Sequence, residues 1–225
     1  MGMVITLATS KGGCGKSTIA IMLAGAYAQE NARVLVIDVD PKQRIVKWAK
    51  SDFIPENLTV MSGNQDTIAQ QIVDNRNKYE VIIIDVEGSG NLAAGLASAL
   101  SNIVLIPANP SIPDVEDAYA TVNMIKNQEL AQGRSIPYAL IWNRVPPAII
   151  TKEMQALYAD VEAAGLKQLF RINELSAYRA VFSYSTTLAN LDPSTPNKDK
   201  AVNQALQLAL AVGEYLTTLP RKEAA

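Results

Sequence analysis

A glycine-rich segment lies between a short apolar run and a longer helical pattern, and it constrains the fold more than any other part of the sequence. The segment reads Ser-Lys-Gly-Gly-Cys-Gly-Lys-Ser-Thr over residues 10–18, and it directly follows the run Val4–Thr9. In such a strand–loop–helix unit, glycines let consecutive backbone N–H groups turn inward around an anion, and the helix N-terminus adds positive potential. The sequence therefore predicts an α/β fold built around a phosphate-binding loop.

Within this loop, each side chain suits a particular part of a nucleotide. Lys16 would reach the β- and γ-phosphates, Ser17 would bind Mg²⁺, and Thr18 would donate to the α-phosphate. The common form of the pattern has a glycine where this chain has Ser10, and this chain adds a second lysine, Lys11, before the paired glycines. Backbone amides for the phosphates would come from Gly12, Gly13, Cys14 and Gly15.

Short β-branched runs alternate with longer helical patterns along the whole chain, which is typical of a mostly parallel sheet. The strand segments are apolar on both faces, so we expect a twisted sheet of about seven strands in a three-layer αβα fold, with helices on both faces. Residues 1–225 are expected to form a single domain, in which 183–200 is a surface connection. The predicted strands are Val4–Thr9, Val34–Asp38, Leu58–Met61, Val81–Asp85, Ile103–Pro107 and Ala139–Asn143. The predicted helices cover 16–29, 43–50, 65–76, 91–99, 114–131, 151–164 and 201–218.

Composition limits the chemistry that is available. The chain has no histidine, and Cys14 is its only cysteine. A histidine general base, a His/Cys zinc site and an internal disulfide are therefore excluded within one chain. Any reaction must rely on Asp, Glu, Lys, Ser, Thr, backbone amides or a metal held by oxygen.

Carboxylates follow two of the predicted strands. Asp38 ends the second strand and Asp40 follows it, with both side chains on the same side because Val39 lies between them. Asp85 ends the fourth strand, and the glycine-bearing loop Val86–Gly90 comes next. Ligands of open parallel sheets bind at the carboxyl ends of the strands, so these aspartates lie at the expected ligand edge.

Together, the loop and the aspartates resemble the ParA/MinD superfamily of ATPases with a deviant Walker A box. The resemblance implies that Lys11 crosses a nucleotide-sandwich dimer to the partner's phosphates. It also implies that Asp38 lies near the Mg²⁺ shell, that Asp40 orients the attacking water and that Asp85 holds Mg²⁺. Asn143, at the end of the sixth strand, would read the adenine edge. The stretch after Asp85 occupies the position of switch II, where Gly88 and Gly90 would allow rearrangement.

Two details depart from that family pattern. Lys42 stands where a glutamine usually follows Asp-x-Asp-Pro, and Gln43 comes one position later. Glu87 is a less usual residue for the loop after Asp85, and its role is left open.

The resemblance covers nearly the whole chain and is closest to the small plasmid-partition ParA type. It implies a slow, Mg²⁺-dependent ATPase in which Lys11, Lys16 and Asp40 act in hydrolysis and ATP drives homodimerisation. The ATP-bound dimer would bind DNA nonspecifically and segregate a plasmid or other DNA cargo, with a cognate adaptor or centromere-binding protein stimulating turnover. The implied location is the bacterial cytoplasm, in association with the nucleoid.

Two alternatives remain open. Ile45–Lys50, which contains Trp48, also resembles VirC-type accessory ATPases of conjugative DNA transfer. A small-molecule ligase of the dethiobiotin-synthetase type shares the deviant loop, although no carboxylate-substrate clamp is evident here.

Bulk charge does not indicate nucleic-acid binding, because 20 basic and 22 acidic residues leave a formal charge of −2. A local patch is therefore the only form that a DNA-binding surface can take. The sequence contains two sets of clustered basic residues, of which the second lies nearer the C-terminus. The first set is either a solvated helix face or a DNA-binding patch. The first set is Lys42, Arg44, Lys47 and Lys50, and the second is Lys167, Arg171 and Arg179.

Membrane binding is not expected. The longest aliphatic runs are strand-sized, far below the roughly 20 residues that span a bilayer. The last predicted helix, Ala201–Thr218, contains no Lys or Arg, whereas a membrane-surface helix is basic and amphipathic.

Overall fold

The computed structural model describes residues 1–88 and 92–219, and within them it contains a seven-stranded parallel sheet. The strand order is β3-β2-β4-β1-β5-β6-β7, and every neighbouring pair is parallel. This architecture confirms the predicted fold class. The strands are β1 (Met3–Leu7), β2 (Val34–Asp38), β3 (Leu58–Ser62), β4 (Val81–Asp85), β5 (Ile103–Ala108), β6 (Tyr138–Val145) and β7 (Gln168–Asn173).

Helices cover both faces of the sheet and enclose two hydrophobic clusters. One cluster lies beneath α1, α2, α7 and α8, and the other beneath α3, α4, α5 and α6. Successive residues of β1 alternate between the clusters, since Ile5 belongs to the first and Val4 to the second. The helices are α1 (Lys16–Gln29), α2 (Arg44–Trp48), α3 (Ile68–Asn75), α4 (Leu92–Leu100), α5 (Ile112–Gln132), α6 (Lys152–Ala163), α7 (Ser176–Ser183) and α8 (Lys198–Thr218).

The position of β1 explains why the glycine-rich loop meets the aspartates. β1 lies between β4 and β5, and β2 pairs with the other side of β4. In the register, Leu7 is opposite Asp85, and Asp85 is opposite Asp38. The loop after β1 and both strand-end carboxylates therefore share the carboxyl edge of the sheet, where the connections after β1 and after β4 run toward opposite sides of the sheet.

The C-terminal third differs most from the sequence-based expectation. Neither β7 nor α7 is among the predicted segments. The strand β7 lacks a continuous apolar run, because charged and polar residues such as Arg171 interrupt it. The segment 184–197 does connect α7 and α8, but it is not wholly on the surface, since Thr187, Leu188 and Leu191 are buried.

The predicted helix bounds are approximate, and the differences at α8 and α2 bear on the charged surfaces. α8 begins at Lys198 rather than Ala201, so Lys198 and Lys200 belong to a helix that was expected to lack basic residues. α2 spans only Arg44–Trp48 rather than residues 43–50. It begins at Arg44 because Gln43 adopts a left-handed conformation with φ of 48°. Within the described ranges, none of the helices is both long enough and apolar enough to cross a membrane.

Candidate functional site

The loop between β1 and α1 has the backbone geometry of an anion cradle. Gly13 and Gly15 have φ angles of 86° and 100°, a region that residues with a Cβ rarely adopt. Gly15 is the N-cap of α1, and no side chain caps this helix start. The first N–H groups of α1 therefore lack a side-chain acceptor, and an anion such as a phosphate would satisfy them.

Cys14 lies between these two glycines and is almost fully buried. Its Sγ lies 3.8 Å from the carbonyl oxygen of Lys11. Burial raises the pKa of the Cys14 thiol, so the side chain is a neutral filler of the loop. The expectation that Cys14 contributes its backbone rather than its thiol is consistent with this setting.

The two lysines of the loop differ in their surroundings. Lys16 is only 7% exposed, and its Nζ donates to the carbonyl oxygen of Lys11 over 2.9 Å. Lys11 is half exposed, and its Nζ lies 3.6 Å from Oδ2 of Asp114 on α5. Both ammonium groups therefore border the cradle. That of Lys16 is folded into the loop, and that of Lys11 is held by Asp114.

Ser17 and Asp85 form a close pair on the adjacent side of the cradle. The Ser17 hydroxyl donates to Oδ2 of Asp85 over 2.6 Å. Asp85 is buried, and its other oxygen, Oδ1, is buried without a hydrogen-bond partner. Burial raises the pKa of Asp85 to about 7, and the nearby charge of Asp38 adds to the shift while the Ser17 hydrogen bond opposes it.

An unpaired carboxylate oxygen beside a hydroxyl fits a hard divalent cation such as Mg²⁺. Among the described residues, no group of three or more Asp, Glu, Cys or His side chains could hold a metal by itself. A cation at Asp85 and Ser17 would therefore need further oxygens from a nucleotide or water, which is how Mg²⁺ commonly binds in phosphate sites.

Asp38 has a structural contact that the sequence did not reveal. Its Oδ2 accepts from the backbone N–H groups of Ile45 and Val46 at 2.9 and 3.1 Å, and its Oδ1 accepts from the N–H of Asp40 at 3.1 Å. Burial raises the pKa of Asp38, although these three bonds act in the opposite direction. Oδ2 thus fixes the start of α2 and Oδ1 fixes the turn before it, so Asp38 lies beside Asp85 with both oxygens already hydrogen-bonded.

Asp40 is less enclosed than Asp38. It is half-buried, and its Oδ1 accepts from the backbone N–H of Lys42 over 2.8 Å. The carboxylate therefore holds the turn before α2 and still has a second oxygen for water.

Ser10, which replaces the usual glycine, anchors the loop to α5. Its hydroxyl donates to Oδ1 of Asp117 over 2.5 Å, and its N–H donates to Oγ1 of Thr121 over 3.1 Å. A Cβ on Gly88 would lie 2.9 Å from the Ser10 carbonyl oxygen, so the loop after β4 closely approaches the phosphate loop. Glu87 is exposed, whereas Ser89 and Gly90 lie outside the described residues.

A cavity of about 280 Å³ opens beside the cradle, and Gly15 and Thr18 form one wall. Its size is close to the lower end of the range of small-molecule pockets, about 300–1,000 Å³. The opposite wall comes from the ends of β6 and β7 and from α7, and includes Asn143, Arg144, Asn173, Glu174, Tyr178 and Arg179. Only Asn143 and Arg179 of this wall are proposed as site residues from the sequence. Arg144 directly follows the predicted sixth strand and so carries a usable signal, whereas the residues after β7 carry none because β7 is not predicted.

Two predicted residues of this wall have contacts other than those expected. Asn143 is buried, and its Nδ2 donates to the carbonyl oxygen of Cys14 over 2.7 Å, so one of its two N–H donors holds the loop. Arg179, a candidate DNA contact in the sequence, is exposed at the cavity wall, and its Nη1 lies 3.6 Å from Oε1 of Glu174.

The basic residues do not form one surface. Lys42, Arg44, Lys47 and Lys50 are all exposed around α2. Lys167 and Arg171 are exposed near β7, where they lie 5.9 and 4.1 Å from the ring centroids of Tyr215 and Tyr158. The first set stays together as predicted, whereas the second is divided between β7 and the cavity.

Comparisons with known proteins agree with this geometry. Residues 5–181 match the family described as the CobQ/CobB/MinD/ParA nucleotide binding domain. A ParA protein of Rhizobium radiobacter is 30% identical over 216 residues, covering 95% of this chain and 97% of the relative. A VirC1 protein of the same organism is 21% identical over 226 residues, covering 96% and 98%.

A solved structure shares the fold. The putative plasmid partition protein of Borrelia burgdorferi B31, bound to AMPPNP, superposes with a TM-score of 0.71 at 18% identity. The match covers 96% of this chain and 100% of that protein.

Proposed function

Because the chain belongs to the CobQ/CobB/MinD/ParA nucleotide-binding family, we propose that it is an Mg²⁺-dependent ATPase that acts as a dimerisation switch for positioning DNA cargo. The observation that carries the proposal is the pairing of Ser17 with Asp85 beside an uncapped helix start. The unpaired oxygen of Asp85 provides a cation site, and the loop amides provide an anion site next to it. A metal–triphosphate complex needs both sites together.

Within this site, the proposed roles follow from position. Lys16 exchanges its bond to the Lys11 carbonyl for the β- and γ-phosphates, while the amides of Gly12 to Thr18 surround them. Ser17 and Asp85 would hold Mg²⁺, with Asp38 beside Asp85, and a bound Mg²⁺ would neutralise charge on the phosphates. Asp40 orients the attacking water through the carboxylate oxygen that does not hold Lys42. The cavity next to Thr18 and Asn143 takes the base.

Lys11 supplies the switch. Its side chain is 46% exposed, at the rim of the cradle, where it can extend toward a second copy of the chain. A nucleotide held between two subunits stabilises the dimer by the difference in its affinity for the two states. Hydrolysis removes the γ-phosphate that Lys11 would contact across the interface, so the dimer then dissociates.

The cargo assignment draws on the relatives. The similarity to the ParA protein over almost the whole chain supports a role in partition. Nonspecific DNA binding in the ATP state and a cognate adaptor that stimulates turnover are parts of the same proposal. The VirC1 similarity extends over almost the whole chain, so an accessory ATPase of DNA transfer is the second candidate. A pull-down of adaptors separates the two, because partition requires a centromere-binding protein and transfer requires a relaxosome component.

The proposal is tested by measuring ATP hydrolysis and DNA retention together, with ATP or ADP and at low and high salt. The wild type is expected to bind duplex DNA in ATP but not in ADP, and to release it at high salt. Lys11→Ala should lose retention, because the dimer does not form. Asp40→Ala should keep retention and hydrolyse ATP at least about ten-fold more slowly.

Lys126→Ala serves as the control, since Lys126 is exposed on α5 away from the loop. It should behave as the wild type in both assays. Equal DNA binding by the wild type in ATP, ADP and no nucleotide would contradict the switch.

A further inference from the structure

The exposed face of the segment from Lys42 to Lys50, here called the α2 basic face, concentrates uncompensated positive charge. Lys42, Arg44, Lys47 and Lys50 fall within nine residues that contain no Asp or Glu. Among the described residues, none of the four forms an ion pair. Lys47 donates to the carbonyl oxygen of Lys42 over 2.8 Å, a contact that leaves its charge unbalanced.

The buried side of this segment holds the charges on a rigid support. Ile45 and Trp48 are buried in the core, and the Trp48 indole N–H donates to the carbonyl oxygens of Val181 and Thr186 at 3.2 and 3.1 Å. A short helix fixed in this way presents its charged side chains at constant spacing. Less backbone entropy is therefore lost when a partner binds.

The segment is also hydrogen-bonded to the candidate nucleotide site. Asp38 accepts the N–H groups of Ile45 and Val46, and Asp40 accepts the N–H of Lys42. Gln43 adopts a left-handed conformation between these anchors, which a residue with a Cβ adopts only when its surroundings impose it. A change of ligand at the two aspartates therefore acts on the backbone that carries the cations.

The second basic set lacks these properties. Lys167 and Arg171 lie over the rings of Tyr215 and Tyr158, and Arg179 is compensated by Glu174. These contacts restrain the cations near β7 and the cavity wall rather than on one continuous face.

From this contrast we infer that the α2 basic face binds the phosphate backbone of duplex DNA. The inference rests on the proposed function and names the surface through which that function would reach its cargo. Lysine and arginine side chains without an exposed aromatic residue on the helix suit phosphate contacts rather than base stacking. Binding at this face would be independent of DNA sequence and sensitive to salt.

The test compares two charge-matched double variants by the fluorescence anisotropy of a labelled random-sequence duplex, with ATP and Mg²⁺. Arg44→Gln/Lys47→Gln removes two charges from the α2 basic face, and Lys167→Gln/Arg171→Gln removes two charges near β7. The first should bind at least about ten-fold more weakly at low salt, and the slope of log K against log salt should fall by about two for each subunit on the duplex. The second should keep the affinity and slope of the wild type.

Folding is checked by circular dichroism and thermal unfolding, and Lys50→Gln alone provides a milder variant whose slope should fall by about one. Loss of binding only in Lys167→Gln/Arg171→Gln, or wild-type slopes in both α2 variants, would overturn the inference and leave the proposed function standing. Retention of the wild type by anionic phosphatidylglycerol vesicles but not by DNA would overturn it as well. If wild-type protein binds ATP but no duplex at any salt concentration, the DNA part of the proposed function fails first.

Discussion

The ammonium nitrogen of Lys11 lies 3.6 Å from a carboxylate oxygen of Asp114 in the same chain. Asp114 is largely buried and is held by the Ser111 hydroxyl and the Asn109 side-chain amide, at 2.6 and 3.0 Å. The Asp114 carboxylate is therefore fixed in place, whereas the Lys11 side chain is half exposed and can move away from it. In the switch that we propose, this ion pair has to break before Lys11 reaches a partner's phosphates.

Asp114→Asn should therefore favour the ATP-bound dimer. A partly exposed ion pair contributes at most about 1 kcal/mol, so its loss should lower the protein concentration for half-maximal dimerisation by up to about five-fold for each pair broken. Sedimentation velocity with ATP and Mg²⁺ measures this directly. Asp117→Asn is the matched control, because Asp117 contacts Ser10 rather than Lys11 and its replacement can still accept that hydroxyl. A weaker dimer in Asp114→Asn, or an equal shift in both variants, would show that the ion pair does not restrain Lys11.

The pKa of Asp85 predicts how the nucleotide-free protein responds to pH. Its folded-state pKa of about 7 is above the ordinary value of 3.8, so the folded chain binds more protons between these values. The contribution of Asp85 to the free energy of unfolding therefore falls as pH rises from about 4 to about 7. Asp85→Asn removes the ionised form but retains an acceptor for Ser17. It should raise the unfolding midpoint by about 5 °C at pH 8, and by less at pH 5.

Differential scanning calorimetry without nucleotide checks this prediction at both pH values. Asp66→Asn, at an exposed site, is the control and should move the midpoint little at either pH. The same Asp85→Asn protein should lose Mg²⁺-dependent ATP hydrolysis. A lower midpoint at pH 8 would mean that Asp85 does not oppose folding in the nucleotide-free protein.

The parts of the site that depend on local chain chemistry were predictable from the sequence. The loop needs glycines at positive φ, and such glycines followed by a lysine and hydroxyl residues form a recognisable pattern. β2 and β4 end at Asp38 and Asp85, as predicted, because buried parallel strands are continuous aliphatic runs. Their shared edge follows from parallel pairing alone.

The parts that depend on tertiary contacts were not predictable. Asn143 contacts the loop carbonyl of Cys14 from 129 positions away, and no local pattern encodes that distance. Likewise, the wall formed by Glu174 and Arg179 depends on α7 packing next to the cradle. A single sequence shows that Arg179 is basic, but it does not show whether the charge points toward DNA or toward a cavity.

Asp38 should matter more for stability than its neighbour Asp40. Asp38→Ala removes the acceptor of three backbone N–H groups, two at the start of α2 and one in the turn before it, and we expect the free energy of unfolding to fall by about 3 kcal/mol. Asp40→Ala loses a single hydrogen bond, from the backbone N–H of Lys42, and this bond is exposed. The free energy of unfolding should therefore fall by less than about 1 kcal/mol. Urea denaturation followed by tryptophan fluorescence compares the two. Equal costs would show that the carboxylate of Asp38 is not what fixes α2.

Asn143 provides a test between reading the base and holding the loop. One of the two N–H groups of its Nδ2 is already bonded to the Cys14 carbonyl oxygen, which leaves the other N–H and Oδ1 for a ligand. If the side chain mainly holds the loop, Asn143→Ala should weaken ATP and GTP binding by the same factor, about 5- to 30-fold for the loss of about 1–2 kcal/mol. If it reads adenine, ATP affinity should fall and GTP affinity should stay constant. Isothermal titration calorimetry with both nucleotides gives the ratio, and Asn190→Ala, at a surface amide bonded to Phe53, is the control. We expect the ratio to be unchanged, because Asn143 is buried and its bond to the Cys14 carbonyl oxygen fixes the side chain against the phosphate loop.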